Sequence, residues 1–273
     1  METIIRLGSF AALFTLVAWW ETRRPRRPLT EPRADHWRTN LTLLVTDVLV
    51  LRFTLGAAAL MTAEYAFQHG WGWFNSVAWP GWLEFVLALL LLDFALYLQH
   101  VLSHALPVFW RLHRVHHTDL DFDLSTGVRF HPLEILLSML YKMAAVAALG
   151  APVWAVLLFE VILNGASVFN HGNVHIPEKI DRWLRLFVVT PDMHRVHHSS
   201  VVNETNSNFG FSISVWDRLC GTYRAQPAMG QQGFEIGLKE YRARLGFGAL
   251  LWLPFRRALG QYSLRRDSGD AEP

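Results

Sequence analysis

The 273-residue chain holds one cysteine, Cys220. That excludes an intrachain disulfide and leaves the lone thiol to be read as a small packed residue. The His-Glu-x-x-His spacing of zinc proteases does not occur. No small-residue cleavage site follows the first apolar run. Trp19-Trp20 and then Arg23-Arg24-Pro25-Arg26-Arg27 put the charge on the wrong side for a cleavable signal, so the run is expected to stay as an anchor. Between Glu64 and Pro80 there is neither lysine nor arginine. With 25 basic against 23 acidic residues the net charge is only +2, and nucleic acid is not implied as a partner.

What is plentiful is apolar surface. Hydrophobic residues make up 52% of the chain, with 12 Trp and 18 Phe, and the mean hydropathy is +0.19. These values together with several long apolar runs indicate a polytopic membrane protein. Spans are expected over about 4–20, 41–63 and 82–98, and two more within 133–170, where Gly150-Ala151-Pro152 makes a tight turn. Asp47 and Arg52 interrupt the second span, so they either face the bundle interior or mark a tilted, partly wet helix. Trp71, Trp73, Phe74 and Trp79 crowd the uncharged connection as an interfacial belt would, which makes it the non-cytoplasmic side. All of the 25 Lys and Arg except Arg6, Arg52 and Lys142 then fall on the opposite side. By the positive-inside rule that side is cytoplasmic and the N-terminus lies outside. The predominance of arginine over lysine points to a bacterial source, and hence to an inner (plasma) membrane.

The expected fold is all-α: a polytopic membrane helical bundle of about five apolar spans, with a cytoplasmic histidine-rich helical cap holding a dinuclear metal site. Residues 1–80 would form the first spans and the aromatic loop, 81–227 the domain that carries the four histidine clusters, and 228–273 a cytoplasmic amphipathic segment and disordered tail. Within that segment, Leu250-Leu251-Trp252-Leu253-Pro254-Phe255 followed by Arg256-Arg257 is expected on the membrane surface.

The cap rests on the histidines. His113-Arg114-Val115-His116-His117 returns as His194-Arg195-Val196-His197-His198, and each copy follows an i, i+4 pair, His100 with His104 and His171 with His175. On a helix, positions i, i+3 and i+4 share a face, so each pentapeptide offers three imidazoles to one point. Thirteen histidines are present in all, and ten in four duplicated clusters exceed the need of one ion. Two ions, each drawing on more than one cluster, are expected. Closed structural zinc sites favour cysteine, which the clusters lack, so a redox site fits better. A hydrogen-bonded structural cluster is the bland reading, disfavoured because crowded neutral imidazoles in an apolar protein each carry a donor and an acceptor to satisfy.

Other residues divide less sharply. His36 and His69 read as ordinary surface or core histidines, and Asp119, Asp121 and Asp123 as solvated loop acids. His131, beside Pro132, reads as a residue behind the ligands rather than an eleventh ligand. Asp93, two turns before His100, reads as a carboxylate that fixes an imidazole tautomer. Asn203, Glu204 and Asn206 either cap a helix or orient ligands. Gly165, Ala166 and Ser167 either allow close helix packing or leave room for a lipid tail.

With these residues in view, the chain resembles the sterol desaturase and fatty acid hydroxylase superfamily of integral membrane di-iron oxygenases. The resemblance rests on the ordered boxes His100-x3-His104, His113-x2-His116-His117, His171-x3-His175 and His194-x2-His197-His198. Phe122-Asp123-Leu124-Ser125-Thr126 with Arg129, His131-Pro132-Leu133-Glu134, Thr190-Pro191, Asn206-x-Asn208-Phe209-Gly210 and the run from Trp216 to Tyr223 add to it. It covers about 83–223 and looks nearest to bacterial sterol-desaturase-like members and alkylglycerol monooxygenase. It implies two iron ions on the ten box histidines, with zinc able to replace iron in a purified sample, and O2 as co-substrate. It further implies hydroxylation or desaturation of a sterol, fatty acyl or alkylglycerol lipid. A fused cytochrome b5-like domain is not expected, so a separate donor of cytochrome b5, ferredoxin or flavoprotein type is. Two other classes are a membrane metal carrier, which would place ligands on both faces or inside the spans, and a catalytically silent lipid-binding relative, which would not consume O2.

Overall fold

The computed structural model describes residues 2–256 and 262. The described residues are helical, with no strand beyond three isolated bridges. Fourteen α-helices are labelled here in chain order. The long ones are α1 (Glu2–Arg23), α2 (Arg33–Thr54), α5 (Gly81–Ala105), α7 (Pro132–Leu149) and α8 (Val153–Asn170), with α3 (Ala58–Gln68) and α4 (Trp73–Ser76) following α2. The cap contains α6 (Pro107–His117), α9 (Glu178–Leu184), α10 (Pro191–His197), α11 (Val202–Thr205), α12 (Val215–Leu219), α13 (Gly230–Gly233) and α14 (Phe247–Trp252). The segments Ile4–Arg23, Arg33–Ser76, Gly81–Ala105, Pro132–Leu149 and Val153–Asn170 are long and apolar enough to cross a membrane. Their outer faces carry bare apolar side chains such as Leu7, Val48, Phe53, Trp82, Leu140 and Trp154. Only lipid makes such a surface favourable.

The second span departs from the expected continuous run. Gly56 takes a left-handed φ of +59°, its N–H closes on the Leu51 carbonyl, and α2 stops before α3 begins. Asp47 is buried, whereas Arg52 is exposed, so the two do not share an environment. At the far end of the bundle two turns touch. A Cβ on Gly72 would lie 2.1 Å from the Gly150 nitrogen, and one on Gly150 would lie 2.5 Å from the Trp71 carbonyl oxygen, so only glycines allow this approach. Trp73 and Trp79 stack edge-on at 5.0 Å beside that junction.

Between the spans, Met139, Val146, Val156 and Phe159 pack with Leu92, Leu96, Ala59 and Ala63 in one core. A polar knot crosses it. Lys142 on α7 donates to Glu160 on α8 at 2.7 Å, and Arg6 on α1 reaches the other oxygen of Glu160 at 3.3 Å. Gly165 serves packing: a Cβ there would meet Leu13 of α1 at 2.6 Å. The Ser167 hydroxyl likewise donates to the Gly127 carbonyl, so both residues close contacts across this stretch.

At the near end, the C-terminus of α1, the start of α2, the end of α5, the start of α7 and the end of α8 meet the cap. Pro107 ends α5 and opens α6 as its first residue, turning the chain across the mouth of the bundle. Gly150 at left-handed φ and Pro152 make the tight turn between α7 and α8. Leu250 and Leu253 are buried against Leu43 and Val115. Trp252 and Phe255 remain exposed.

Candidate metal centre

Both pentapeptides end short helices opened by proline. Pro107 starts α6, and Pro191 starts α10, where the Thr190 hydroxyl accepts the Met193 N–H. In each, the three imidazoles face inward and the arginine faces the other way. Arg114 donates to the Leu253 carbonyl at 2.6 Å. Arg195 pairs with Asp192 and lies over the Phe122 ring, 5.0 Å from its centroid. The repeated letters therefore serve two ends, ligands on one face and a clamp for the cap on the other.

The inward imidazoles converge in two groups. His100, His104, His113, His117 and His197 form one; His116, His171, His194 and His198 form the other; within each group one ring nitrogen from each residue lies within 4.8 Å of those of the others. Each group mixes residues of both pentapeptides, as two shared ions would require. All nine side chains are buried. His175 stands apart. The α8 helix ends at Asn170 with His171 as its cap, so His175 no longer sits one helical turn from His171. It is exposed, and its main-chain N–H bonds to the Arg24 carbonyl.

The electrostatics of the arrangement fit cations held between the rings. His100 and His113 donate from Nδ1 to the Phe209 carbonyl at 2.8 Å and to the Glu134 carboxylate at 2.6 Å. His116 and His171 donate from Nδ1 to the carbonyls of Arg129 at 3.3 Å and Ser167 at 2.7 Å. A neutral imidazole whose Nδ1 carries the proton has its lone pair on Nε2. Yet Nε2 of His100 lies 3.1 Å from Nε2 of His113, and Nε2 of His171 lies 3.1 Å from Nε2 of His116. Lone pairs facing at that distance repel unless a cation is shared between them. Two nitrogens bound at about 2.1 Å to one ion at a right angle would sit about 3.0 Å apart, close to what is seen. Further Nε2 atoms, on His104, His197 and His198, are buried with no hydrogen-bond partner. Protonation is no remedy. Burial first, and then neighbouring imidazoles, push His116, His117, His194, His197 and His198 well below the ordinary histidine range, and burial pushes His171 down to about 4. The donor set, all imidazole with no thiolate, suits divalent iron, zinc or copper.

Residues behind the imidazoles fall differently from the sequence expectations. Asn206 does orient a ring, accepting from His104 Nδ1 at 3.1 Å. Asp93 touches no imidazole; it accepts the Trp216 indole N–H at 2.8 Å and the Ile213 N–H, tying α5 to α12. His131 caps α7, its Nδ1 accepting the Leu133 N–H, and its Nε2 faces the Leu251 carbonyl. Glu204 binds the Ser199 hydroxyl and the Ala228 N–H, a loop brace. Glu134, named from the sequence only within the His131-Pro132-Leu133-Glu134 run, is the carboxylate that holds His113.

The loop acids are also corrected: Asp119, Asp121 and Asp123 are buried, not solvated. His36 lies between two of them, with Nε2 at 2.8 Å from Asp119 and Nδ1 at 3.2 Å from Asp123. Asp121 accepts the N–H groups of Thr30 and Glu31. Against burial, which pushes a carboxyl up, the charges of His36 and Arg129 hold Asp119 below the usual range, and hydrogen bonds from His36 and Ser125 help to hold Asp123 there. Arg129 joins the knot by donating to Asn40 and to the Val115 carbonyl, while its own carbonyl accepts from His116. The partners are some 80 or more residues apart in sequence, so no local pattern announces them.

Comparison with known proteins agrees with this geometry. Residues 85–222 match the fatty acid hydroxylase family model. The chain is 33% identical over 180 residues to ornithine lipid hydroxylase OlsE of Rhizobium tropici, covering 66% of this chain and 52% of that protein. It is 27% identical over 156 residues to human alkylglycerol monooxygenase, covering 55% of this chain and 33% of that one. It is 29% identical over 145 residues to rat cholesterol 25-hydroxylase, covering 52% and 47%. The chain thus spans about half the length, or less, of these relatives. No solved structure matches. A family match over half the chain, falling on the segment that carries all nine converging imidazoles, shows that this multi-pass membrane protein belongs to the fatty acid hydroxylase family.

Proposed function

We propose that the protein is a membrane-bound di-iron oxygenase that hydroxylates or desaturates a C–H bond of a lipid of sterol, fatty acyl or alkylglycerol type. The observation that carries the reading is the convergence of nine buried imidazoles into two groups at one end of the apolar bundle. His100, His104, His113, His117 and His197 would hold one iron and His116, His171, His194 and His198 the other. When bound, the iron pair supplies O2 chemistry strong enough to break an unactivated C–H bond, using electrons from a separate donor.

The chain's own part is positioning and exclusion of water. Nδ1 acceptors on Phe209, Glu134, Arg129, Ser167, Ser207 and Asn206 fix the ring orientations, so that each of these imidazoles turns Nε2 inward. Aromatic rings jacket the groups. Phe130 stacks on His116 at 4.7 Å, Phe122 lies edge-on to His198 at 5.0 Å, and Trp110 lies 4.9 Å from His104. These rings keep bulk water from a reactive centre. Because α5 and α8 run from the bilayer straight to the histidines, a lipid can approach from within the membrane. The cap would face the cytoplasm of a bacterial inner membrane, as the lysine and arginine distribution supports.

The test is lipid analysis of cells with and without the protein under 18O2. The expected result is a lipid that gains one labelled oxygen or loses two hydrogens, only with the wild-type chain and not with His197→Ala. Identical lipid profiles, with the protein present and metal-loaded, would overturn the reading.

A further inference from the structure

The two groups are not held alike. His100, His116, His171 and His197 give their Nδ1 protons to main-chain carbonyls, and His104 gives its own to the Asn206 amide oxygen. Of the nine converging imidazoles, among the described residues only His113 gives its proton to a carboxylate, and the contact is short, 2.6 Å from Nδ1 to Glu134 Oε1. The other oxygen of Glu134 is buried and has no partner, so the carboxylate directs its hydrogen bonding at this one ring. A charged acceptor makes the bond about twice as strong as a neutral one and draws the imidazole proton away, leaving Nε2 a stronger donor. The number of rings differs as well, five in the group that contains His113 and four in the other.

We infer that the two metal positions are inequivalent, and that Glu134, a positioning residue acting through His113, makes the five-imidazole position the tighter and more electron-rich of the two. This rests on the two-metal reading above. It assigns that position the lower reduction potential when iron is bound, and leaves the four-imidazole position as the weaker site that fills second.

The experiment is a Co2+ titration of the full-length, metal-stripped protein in detergent, followed by visible absorption and by bound metal per chain. Wild-type protein should fill in two resolved steps. Glu134→Gln keeps the shape but removes the charge. It should weaken the first step about 10–100-fold and leave the second unmoved, which also serves as an internal check that the variant is folded. His113→Ala should erode the same step, and His198→Ala the other. With iron, Glu134→Gln should raise the potential of one ion only. Equal weakening of both steps, or no change in either, would overturn the inference while leaving two metals in place. Wild-type protein that binds fewer than two Co2+ would instead overturn the two-metal reading beneath it.

Discussion

Replacing His36 by alanine should damage the metal centre although His36 belongs to neither imidazole group. Its ring contacts the Asp119 carboxylate at 2.8 and 2.9 Å and Asp123 at 3.2 Å, and the three residues are 2%, 3% and 0% exposed. Both ring nitrogens face carboxylate oxygens, so both must donate, and the ring sits there as the imidazolium. Removing it strands two buried carboxylates, and the loss of one partner of such a pair costs about 3–5 kcal/mol. Trp37 and Ser125 still serve Asp123, and Thr126 still serves Asp119, which favours the lower end. A loss of about 3 kcal/mol is a large part of the roughly 5–15 kcal/mol that holds a typical protein folded. Denaturant unfolding of the metal-free protein in detergent, followed by tryptophan fluorescence, reads the cost directly. Metal retention should also fall, first at the four-imidazole group, because the loosened loop carries the Arg129 carbonyl that holds His116. Adding Asp119→Asn should restore part of the stability, since it removes one stranded charge. A His36→Ala protein as stable as wild type, or one made worse by Asp119→Asn, would refute the reasoning.

Other outcomes follow from the same structure. His175→Ala should keep full metal content and lipid-modifying activity, measured by metal analysis and lipid extraction, because that side chain is exposed and outside both groups. Lys142→Met should destabilise the bundle by about 3–5 kcal/mol, as it removes the 2.7 Å partner of buried Glu160. The double variant with Glu160→Gln should lose less, as a double-mutant cycle on unfolding midpoints would show. The metal-free protein should weaken on acidification below about pH 6.5, where the unfolded chain begins to take up protons that buried histidines such as His171, pushed down to about 4, refuse. The folded pKa is the lower one, so stability is present above that range and lost as pH falls through it; bound metal should move the loss to lower pH.

The part of this design that local spacing encodes was legible in the sequence. The i, i+3, i+4 pattern of the two pentapeptides, the proline breaks at Pro107 and Pro152, and the apolar lengths of the spans all act within a few residues of where they are written. His175 misled because its spacing from His171 implies a helix that ends at Asn170. Gly56 ended α2 early because a single left-handed residue outweighs an apolar run that could continue. The knot of His36, Asp119 and Asp123 could not be read, since loop acids look solvated until a partner from a distant helix covers them. Glu134 stood in view within the His131-Pro132-Leu133-Glu134 run, but its direction toward His113 depends on how α6 crosses the mouth of the bundle, which only the assembled fold sets.

The account turns on whether these rings hold two ions. Metal analysis of the purified full-length protein, expressed with iron and washed free of loosely bound metal, measures this most directly. Close to two metal ions per chain, falling when His116 or His197 is replaced by alanine while the protein stays in the membrane, is the predicted result. A folded, membrane-integrated protein with no more than traces of metal, or with undiminished metal in those variants, would contradict it.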